Sequence, residues 1–467
     1  MLTDTAYGDS PHSFWLRVRE FAVPPSMIET ATARRSAGDW AGACAAAGVD
    51  VDLDLKSVAR THGRELATRV RADLRHLAPD LLRWHLPRVA PDGLLRPGLT
   101  IALARYESAG PDGAGPVHLV VRTPPAWADG GQRVSLALWD GTHAEPSARR
   151  HPHPHPSRRF RLDLHRHLWD ARRTDELRIR SGSAPPPDGA PAPTVPEVPG
   201  TVPRDFRCAV DRWADEAGLL LHAEGRSAGT ISVRVGARQR LLLDLVADRD
   251  GLGPPSMRIA EAPADGGVSA LPVLPDAATW VLPDLELLQG GLIEADRLHP
   301  LVASALVPGL PPAGSRPLSD RTGQPHIVEC RGARHRIGLV DGVLSPLDHD
   351  PAEIRREELL AALSGTPLPC LQAIDRAHRR PDCLDGVRER LHHGDIAGAL
   401  AVVEGLLGPD ATLRDGALRN ELEAAAQRRL TYGLFRAGLI GPGPGRMRPG
   451  PSRRRGHRTR PRHATTH

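Results

Sequence analysis

A run of prolines near the middle of the chain limits its architecture more than any other feature. Eight of the 24 residues from 181 to 204 are proline: 185, 186, 187, 191, 193, 196, 199 and 203. Proline fixes φ and removes a backbone donor, so such a run suits neither a helix nor an inner strand. It favours extended polyproline conformations and acts as a semi-stiff spacer. With 467 residues the chain is long enough for two or three domains on either side of it. The segments that follow from this punctuation are 1–24, an N-terminal extension; 25–180, helices then antiparallel strands; 181–204, the linker; 205–307, an α+β unit; 308–325, a Pro/Gly-rich connection; 326–440, a hairpin with helices; and 441–467, an Arg-rich tail.

Composition narrows the class. Hydrophobic residues make up 40% and charged residues 25%, which fits a soluble globular protein. No apolar run reaches the 18 or so residues of a membrane span, and residues 1–15 carry Asp4 and Asp9 with no apolar stretch of signal-peptide length. The expectation is a cytoplasmic protein. Lys56 is the single lysine beside 60 arginines, a bias that suits a high-GC genome and says little about nucleic acid. The net charge of +5 is set by eight arginines after residue 440, which leave the first 440 residues at −3. Five cysteines (44, 208, 330, 370, 383) lack the paired spacing of a disulfide framework or zinc motif. They read as reduced thiols, mostly buried, and no metal or cofactor is expected.

The periodicity predicts an α+β protein of several domains, with helical N- and C-terminal segments, antiparallel sheet units and a disordered basic tail. A helix suits Met27–Arg35, with Gly38 as its stop and Asp39 as the next cap. A long helix is expected from about Lys56 to Ala78, with Leu66, Val70, Leu74 and Leu77 as its apolar stripe. Alternation at 99–103, 117–121 and 134–138 predicts an antiparallel meander with one wet face. Helices are expected near 168–176, 206–217 and 283–305, and strands at 219–222, 231–235 and 240–246. A hairpin is expected at 326–340, then helices from Asp350 to a stop at Gly438, with Leu439 as its hydrophobic partner.

One pattern occurs twice. Gly38-Asp-Trp-Ala-Gly-Ala-Cys-Ala45 and Gly394-Asp-Ile-Ala-Gly-Ala-Leu-Ala401 agree at six of eight positions, with Arg34 and Arg390 aligned upstream. Glycine ends one helix, aspartate caps the next, and small residues let the two approach. The corner resembles that of tetratricopeptide-like helical hairpins, whose common role is to hold other proteins, without a 34-residue array. The Asp39–Trp40 and Asp395–Ile396 corners are therefore the candidate interaction residues. The structural alternative is a generic helical hairpin in an alanine-rich chain.

Other motifs weaken on inspection. Gly225-Arg-Ser227-Ala-Gly229 has the spacing of a hydrolase nucleophile elbow, but a strand pattern follows it where the elbow needs a helix, so it reads as a hairpin loop. Asp50, Asp52 and Asp54 start like a calcium loop, yet Leu55 stands where glycine is needed and Thr61 where glutamate is needed. They read as a capped helix start. The histidines at 151, 153, 155, 165 and 167 lie in a low-complexity stretch. Histidines 392 and 393 suit a helix C-terminus, where a cation complements the dipole. No Walker A loop, G-x-G-x-x-G or His-Glu-x-x-His occurs. Arg453, Arg454, Arg455, Arg458 and Arg460 are the candidate nucleic-acid contacts.

The stretch Gly38–Asp54, with Arg69-Val-Arg-Ala-Asp-Leu-Arg-His-Leu-Ala-Pro-Asp-Leu-Leu-Arg-Trp-His-Leu-Pro-Arg88, resembles a family of uncharacterised proteins of high-GC actinobacteria. That family is associated with MoxR-type AAA ATPases and von Willebrand A-domain proteins. The resemblance implies an adaptor or client role beside an AAA ATPase and carries over no catalytic residue. The expected function is a noncatalytic protein–protein interaction or adaptor protein. The alternatives are an enzyme whose site is assembled from distant residues, and nonspecific nucleic-acid binding through the tail.

Overall fold

A computed structural model describes residues 11–107, 115–141, 151–183, 207–236, 239–246, 256–263, 270–308, 326–365 and 367–441. The proline-rich run beyond residue 183 and the tail arginines 453, 454, 455, 458 and 460 lie outside the described residues. The fold is α+β. Among the described residues no helix is long and apolar enough to cross a membrane.

The N-terminal part begins with α1 (Pro11–Arg17), a π-turn at Val18–Ala22, α2 (Pro25–Ser36) and α3 (Trp40–Ala46). A short strand β1 (Val49–Val51) follows, then α4 (Leu55–His62), α5 (Arg64–His76) and α6 (Pro79–His85). The single helix expected over 56–78 is two. Gly63 takes φ +90° between them, a conformation open to glycine, and the axis turns there. The stripe on α5 is as read: Leu66, Val70 and Leu74 are buried, with Leu77 just beyond.

After the two-residue strands β2 (Arg88–Val89) and β3 (Leu94–Leu95) come β4 (Thr100–Tyr106), β5 (Val117–Arg122) and β6 (Val134–Trp139). They pair antiparallel, and β1 joins β6 in parallel, giving the order β1-β6-β5-β4. Neither face is wet. Consecutive residues of β4 and β5 are buried. The 151–161 segment lies against β4, with Ser157 N bonded to Thr100 O at 2.8 Å and a bridge between Ala102 and Arg161, and the last helix of the chain (Ala417–Ala437) reaches back to the β1 side of the sheet. Tyr432 donates its hydroxyl to Asp50 at 2.7 Å, and Arg436 pairs with Asp50 at 3.2 Å and with Asp52. Local alternation cannot reveal a cover supplied from 300 residues away. The helix expected over 168–176 is replaced by 3-10 turns at Arg166–Leu168 and Thr174–Glu176 and a short helix at Leu177–Arg180.

A second core forms around Trp213. The helix Trp213–Ala223 packs on an antiparallel sheet of β7 (Gly229–Arg234), β8 (Arg240–Val246) and β9 (Ser256–Glu261). The strand expected at 219–222 is the end of this helix. Leu220 and Leu221 are buried and Leu219 is exposed, a helical rather than an alternating arrangement. The helices Pro283–Gln289 and Pro300–Leu306, separated after Gly290, bury Leu285, Leu287 and Val302 in the same cluster as Leu74 and Leu82. Two polar ties fix them: Trp84 donates to Asp284 at 2.8 Å, and His299 meets Asp80 at 2.8 Å.

The third core lies in the C-terminal unit. Strands β10 (His326–Cys330), β11 (Ala333–Val340) and β12 (Val343–Pro346) form a meander. Helices Pro351–Ser364, Pro369–Arg379, Leu384–His393, Ile396–Leu407 and Ala417–Ala437 follow. Asp350 caps the first, accepting from Ala352 N at 2.8 Å. Gly438 ends the last in the left-handed region, with Leu439 N bonded to Leu434 O at 2.9 Å. Leu439 itself is exposed, so the apolar contact expected of it is not made.

Candidate functional site: twin corners and an arginine-lined cleft

The two Gly-Asp corners have the same geometry. Gly38 and Gly394 take φ +80° and +87°, and Asp39 and Asp395 follow at φ/ψ −85°/72° and −80°/67°. Each aspartate accepts from the amide three residues on: Gly42 N at 2.8 Å, Gly398 N at 2.9 Å. Each also receives the aligned arginine, Arg34 at 3.0 Å and Arg390 at 2.7 Å. The recurring glycine at the third helical position is explained too. A Cβ at Gly42 or Gly398 would overlap the capping carboxylate.

The surroundings differ. Trp40 is half-buried against the first core, and Ile396 is half-buried against the third. The corner at Gly38 faces open space, whereas Gly394 abuts the backbone of Gly131. Beside it the buried Arg83 guanidinium donates to three carbonyls from three segments: Ala22 at 2.9 Å, Gln132 at 2.5 Å and His393 at 2.9 Å. Burial, then the charge of Arg133, lowers the Arg83 pKa to about 10. His393 is fully buried and stacks on Phe21 at 6.2 Å. Burial, then the charges of Arg88 and Arg83, pushes it down to about 3. The cation expected at this helix end is thus a neutral imidazole, because desolvation outweighs the helix dipole.

A concavity lies elsewhere, between α5, β4 and the 166–173 turn. It holds about 300 Å³ and is lined by Arg69, Ala72, Asp73, Arg105, Tyr106, Arg166, Arg172 and Arg173. On α5, Arg69 and Ala72 flank the Leu66–Val70–Leu74 stripe, and Asp73 is buried at its edge. On β4, Arg105 points out and Tyr106 in. The turn is stitched to the end of α5 by Ala78 N to Trp169 O at 2.8 Å and Ala171 N to His76 O at 2.9 Å.

Two buried carboxylates set the arginines. Asp73 accepts from Tyr106 at 2.7 Å, from Arg172 at 2.8 Å and from Arg166. Asp170 accepts from Arg166 and Arg172, each at 2.7 Å. Burial alone would raise the Asp170 pKa, but hydrogen bonds from Arg172 and then Arg166 outweigh it and hold the group low. Tyr106 is pushed up by burial and then by the Asp73 charge, so its hydroxyl stays a donor. Arg69 lies over the Tyr106 ring at 5.3 Å, Arg105 pairs with Glu107 at 3.0 Å and Arg173 with Glu176. The result is a rigid fork of two arginines with three more at the rim. The helix expected over 168–176 hid this cleft, because a regular helix there would not gather these side chains around Asp170. The signal present was Arg166-His-Leu-Trp-Asp170-Ala-Arg-Arg173, an unusual density of one charge around a single acid.

The remaining motifs settle locally. Asp50 is held by Arg133 and Tyr432, Asp52 by Arg436, and Asp54 caps α4 through Lys56 N and Ser57 N. Gly225 ends a helix and Gly229 begins β7, so Ser227 sits in a helix-to-strand connection, the reverse of an elbow and not the hairpin loop expected. His151 bonds the Thr123 carbonyl at 3.0 Å, and His165 meets Glu216 at 3.1 Å. All five cysteines are free thiols; 44, 330 and 370 are buried, 208 and 383 half-buried.

No family model, no curated protein and no solved structure matches the chain.

Proposed function

We propose that the chain is a noncatalytic protein–protein interaction protein whose recognition surface is the arginine-lined cleft, and that its occupant is an acidic segment of a partner protein. The observation that carries this is the density of guanidinium groups. Five arginines line the cleft and Asp73 is its one lining carboxylate. Arg166 and Arg172 are locked in place by Asp73 and Asp170, so little side-chain entropy is lost when a carboxylate arrives. Their Nε and Nη2 atoms serve Asp73 and Asp170, which turns Nη1 of each toward an arriving carboxylate as a charged donor, beside Arg69 and Arg105 at the rim. Tyr106 is buried, so the cleft offers no exposed ring on which a base would stack, which favours a peptide over a nucleic acid. The resemblance to proteins associated with MoxR-type AAA ATPases makes such an ATPase the first partner to test.

The test is fluorescence anisotropy of the full chain with a labelled Asp/Glu-rich peptide, and with a Lys-rich peptide as control. Arg69→Glu and Arg105→Glu, both at the exposed rim, are each expected to weaken the acidic peptide about tenfold, equivalent to about 1.4 kcal/mol. Binding should also fall as salt rises. Equal affinity of both variants and the natural chain for the acidic peptide removes the cleft from the account.

A further inference from the structure

In the C-terminal unit three separate segments bring ligand atoms together. Cys330 is the last residue of β10, His349 lies between β12 and the helix Pro351–Ser364, and Cys370 is the second residue of the helix Pro369–Arg379. The two sulfurs and an imidazole nitrogen all lie within 4.8 Å of one another. Cys370 Sγ and His349 Nε2 are 3.5 Å apart. A tetrahedral zinc with Zn–S of about 2.3 Å and Zn–N of about 2.05 Å places sulfur and nitrogen about 3.6 Å apart, so this edge is already in place.

The surroundings are those of a ligand set. Cys330 and Cys370 are fully buried, and the His349 side chain is 5% exposed. Behind the ring, His349 Nδ1 faces Glu353 Oε2 at 3.5 Å, and Arg331 fixes the other Glu353 oxygen at 3.1 Å. A carboxylate behind a histidine orients the opposite nitrogen toward a metal. The His335 ring stacks on His349 at 4.2 Å and 11°, which restrains its rotation. Two other readings use less of this. A disulfide would employ both sulfurs and leave the aimed imidazole without a purpose. A nucleophilic Cys370–His349–Glu353 relay would need a substrate to reach a sulfur with no exposed surface.

We propose that Cys330, His349 and Cys370 bind one zinc-class divalent cation, with water in the fourth position. The ion joins the β10–β12 sheet to the helix Pro369–Arg379. Glu353 is a positioning residue for His349. The site is independent of the arginine cleft, so either proposal can fail alone.

Full-length protein, reduced and equilibrated with zinc, is passed into metal-free buffer and its metal measured by plasma mass spectrometry. One zinc per chain is expected. Cys370→Ser should abolish stoichiometric retention, and Glu353→Gln should weaken affinity about 10–100-fold. Cys44→Ser and Cys383→Ser should change nothing. Cobalt titration of the natural chain gives a readout that needs no variant to fold: thiolate-to-cobalt charge-transfer and tetrahedral d–d absorption saturating at one equivalent. The proposal is overturned if the reduced chain takes up neither ion, if Cys370→Ser retains zinc as well as the natural chain, or if Cys330 and Cys370 are recovered as a disulfide and bind nothing after reduction.

Discussion

Replacing Gly38 and Gly394 with alanine separates two contributions that the twin corners otherwise share. Both glycines sit in the left-handed region. A Cβ there costs about 1–2 kcal/mol. Around Gly38 no heavy atom lies within 4 Å of the position a Cβ would take. Gly38→Ala should therefore cost about 1–2 kcal/mol and no more. At Gly394 the same methyl would overlap the Gly131 carbonyl oxygen, and backbone cannot swing aside as a long side chain does. The helix Leu384–His393 must retreat, and the His393 carbonyl then loses the Arg83 guanidinium that donates to it at 2.9 Å. A hydrogen bond to a charged group contributes about 1.5–3 kcal/mol, so Gly394→Ala should cost about 3–5 kcal/mol in all. Native-state hydrogen exchange reads both losses, at amides of Leu384–His393 in one variant and of Pro25–Ser36 in the other. Equal losses, within about 0.5 kcal/mol, would mean that the seam at Arg83 contributes nothing and that the packing argument is wrong.

Three further outcomes follow from the same geometry. His393 and His85 are both held near 3 when folded, chiefly by burial, against about 6.5 unfolded, so the unfolded chain takes up protons first as pH falls. Glu389, 3.8 Å from His393, is too distant to reverse this beside Arg83 and Arg88. Each histidine should remove up to about 1.4 kcal/mol per pH unit below 6.5, and His393→Phe should flatten the fall in urea midpoint between pH 7 and 5. The lowered Asp170 carboxyl stabilises the fold above its unfolded pKa of about 3.9, and that contribution disappears as pH drops through the folded value. Asp170→Asn should cost about 1.5–3 kcal/mol at pH 7, because two partly exposed arginines lose charged hydrogen bonds while keeping Asp73; a loss under about 0.5 kcal/mol in thermal melts would contradict the network. Gly398→Ala displaces the Asp395 cap, a loss of about 1 kcal/mol, and gains about 1 kcal/mol of helix propensity, so the net should be near zero. In an Asp395→Ala background the same change should stabilise by about 1 kcal/mol, and the absence of that difference would refute the overlap.

What was legible in the sequence was local. The caps at Asp39, Asp54, Asp350 and Asp395 accept the amides expected of them, because capping is decided within four residues. The strands at 100, 117 and 134 were placed by alternation, and Leu66, Val70 and Leu74 by helical spacing. What was missed depends on distant partners. The wet face vanished under the 151–161 segment at β4 and under Tyr432 and Arg436 at β1, the cleft needed Asp73 brought to Arg166, and the cysteine cluster joins residues 19 and 21 positions apart. A zinc motif is recognised in sequence when its ligands share one turn; three ligands on a strand, a turn and a helix leave no such spacing. Gly63 divides the helix expected over 56–78, because apolar spacing on either side of a glycine does not show that its backbone leaves the helical region.

The path of the chain explains why these features are separable. After Arg180 it leaves the first core, builds the second around Trp213, and returns to put Leu285, Leu287 and Val302 back into the first. The two ends of this excursion lie side by side. Cys208 and Trp280 form an antiparallel bridge, with Ala209 N bonded to Thr279 O at 3.0 Å and Val281 N to Arg207 O at 2.9 Å. An inserted unit whose ends are already paired adds little closure entropy to the core that holds it, and ion pairs tie it there as well, Glu216 to Arg180 at 2.6 Å and to His165 at 3.1 Å, and Asp276 to Arg159 at 2.6 Å. The C-terminal unit is tied differently, through Gly394 against Gly131 and through Arg83, whose three bonds span Ala22, Gln132 and His393. A change at Arg83 must therefore loosen the first and third cores together.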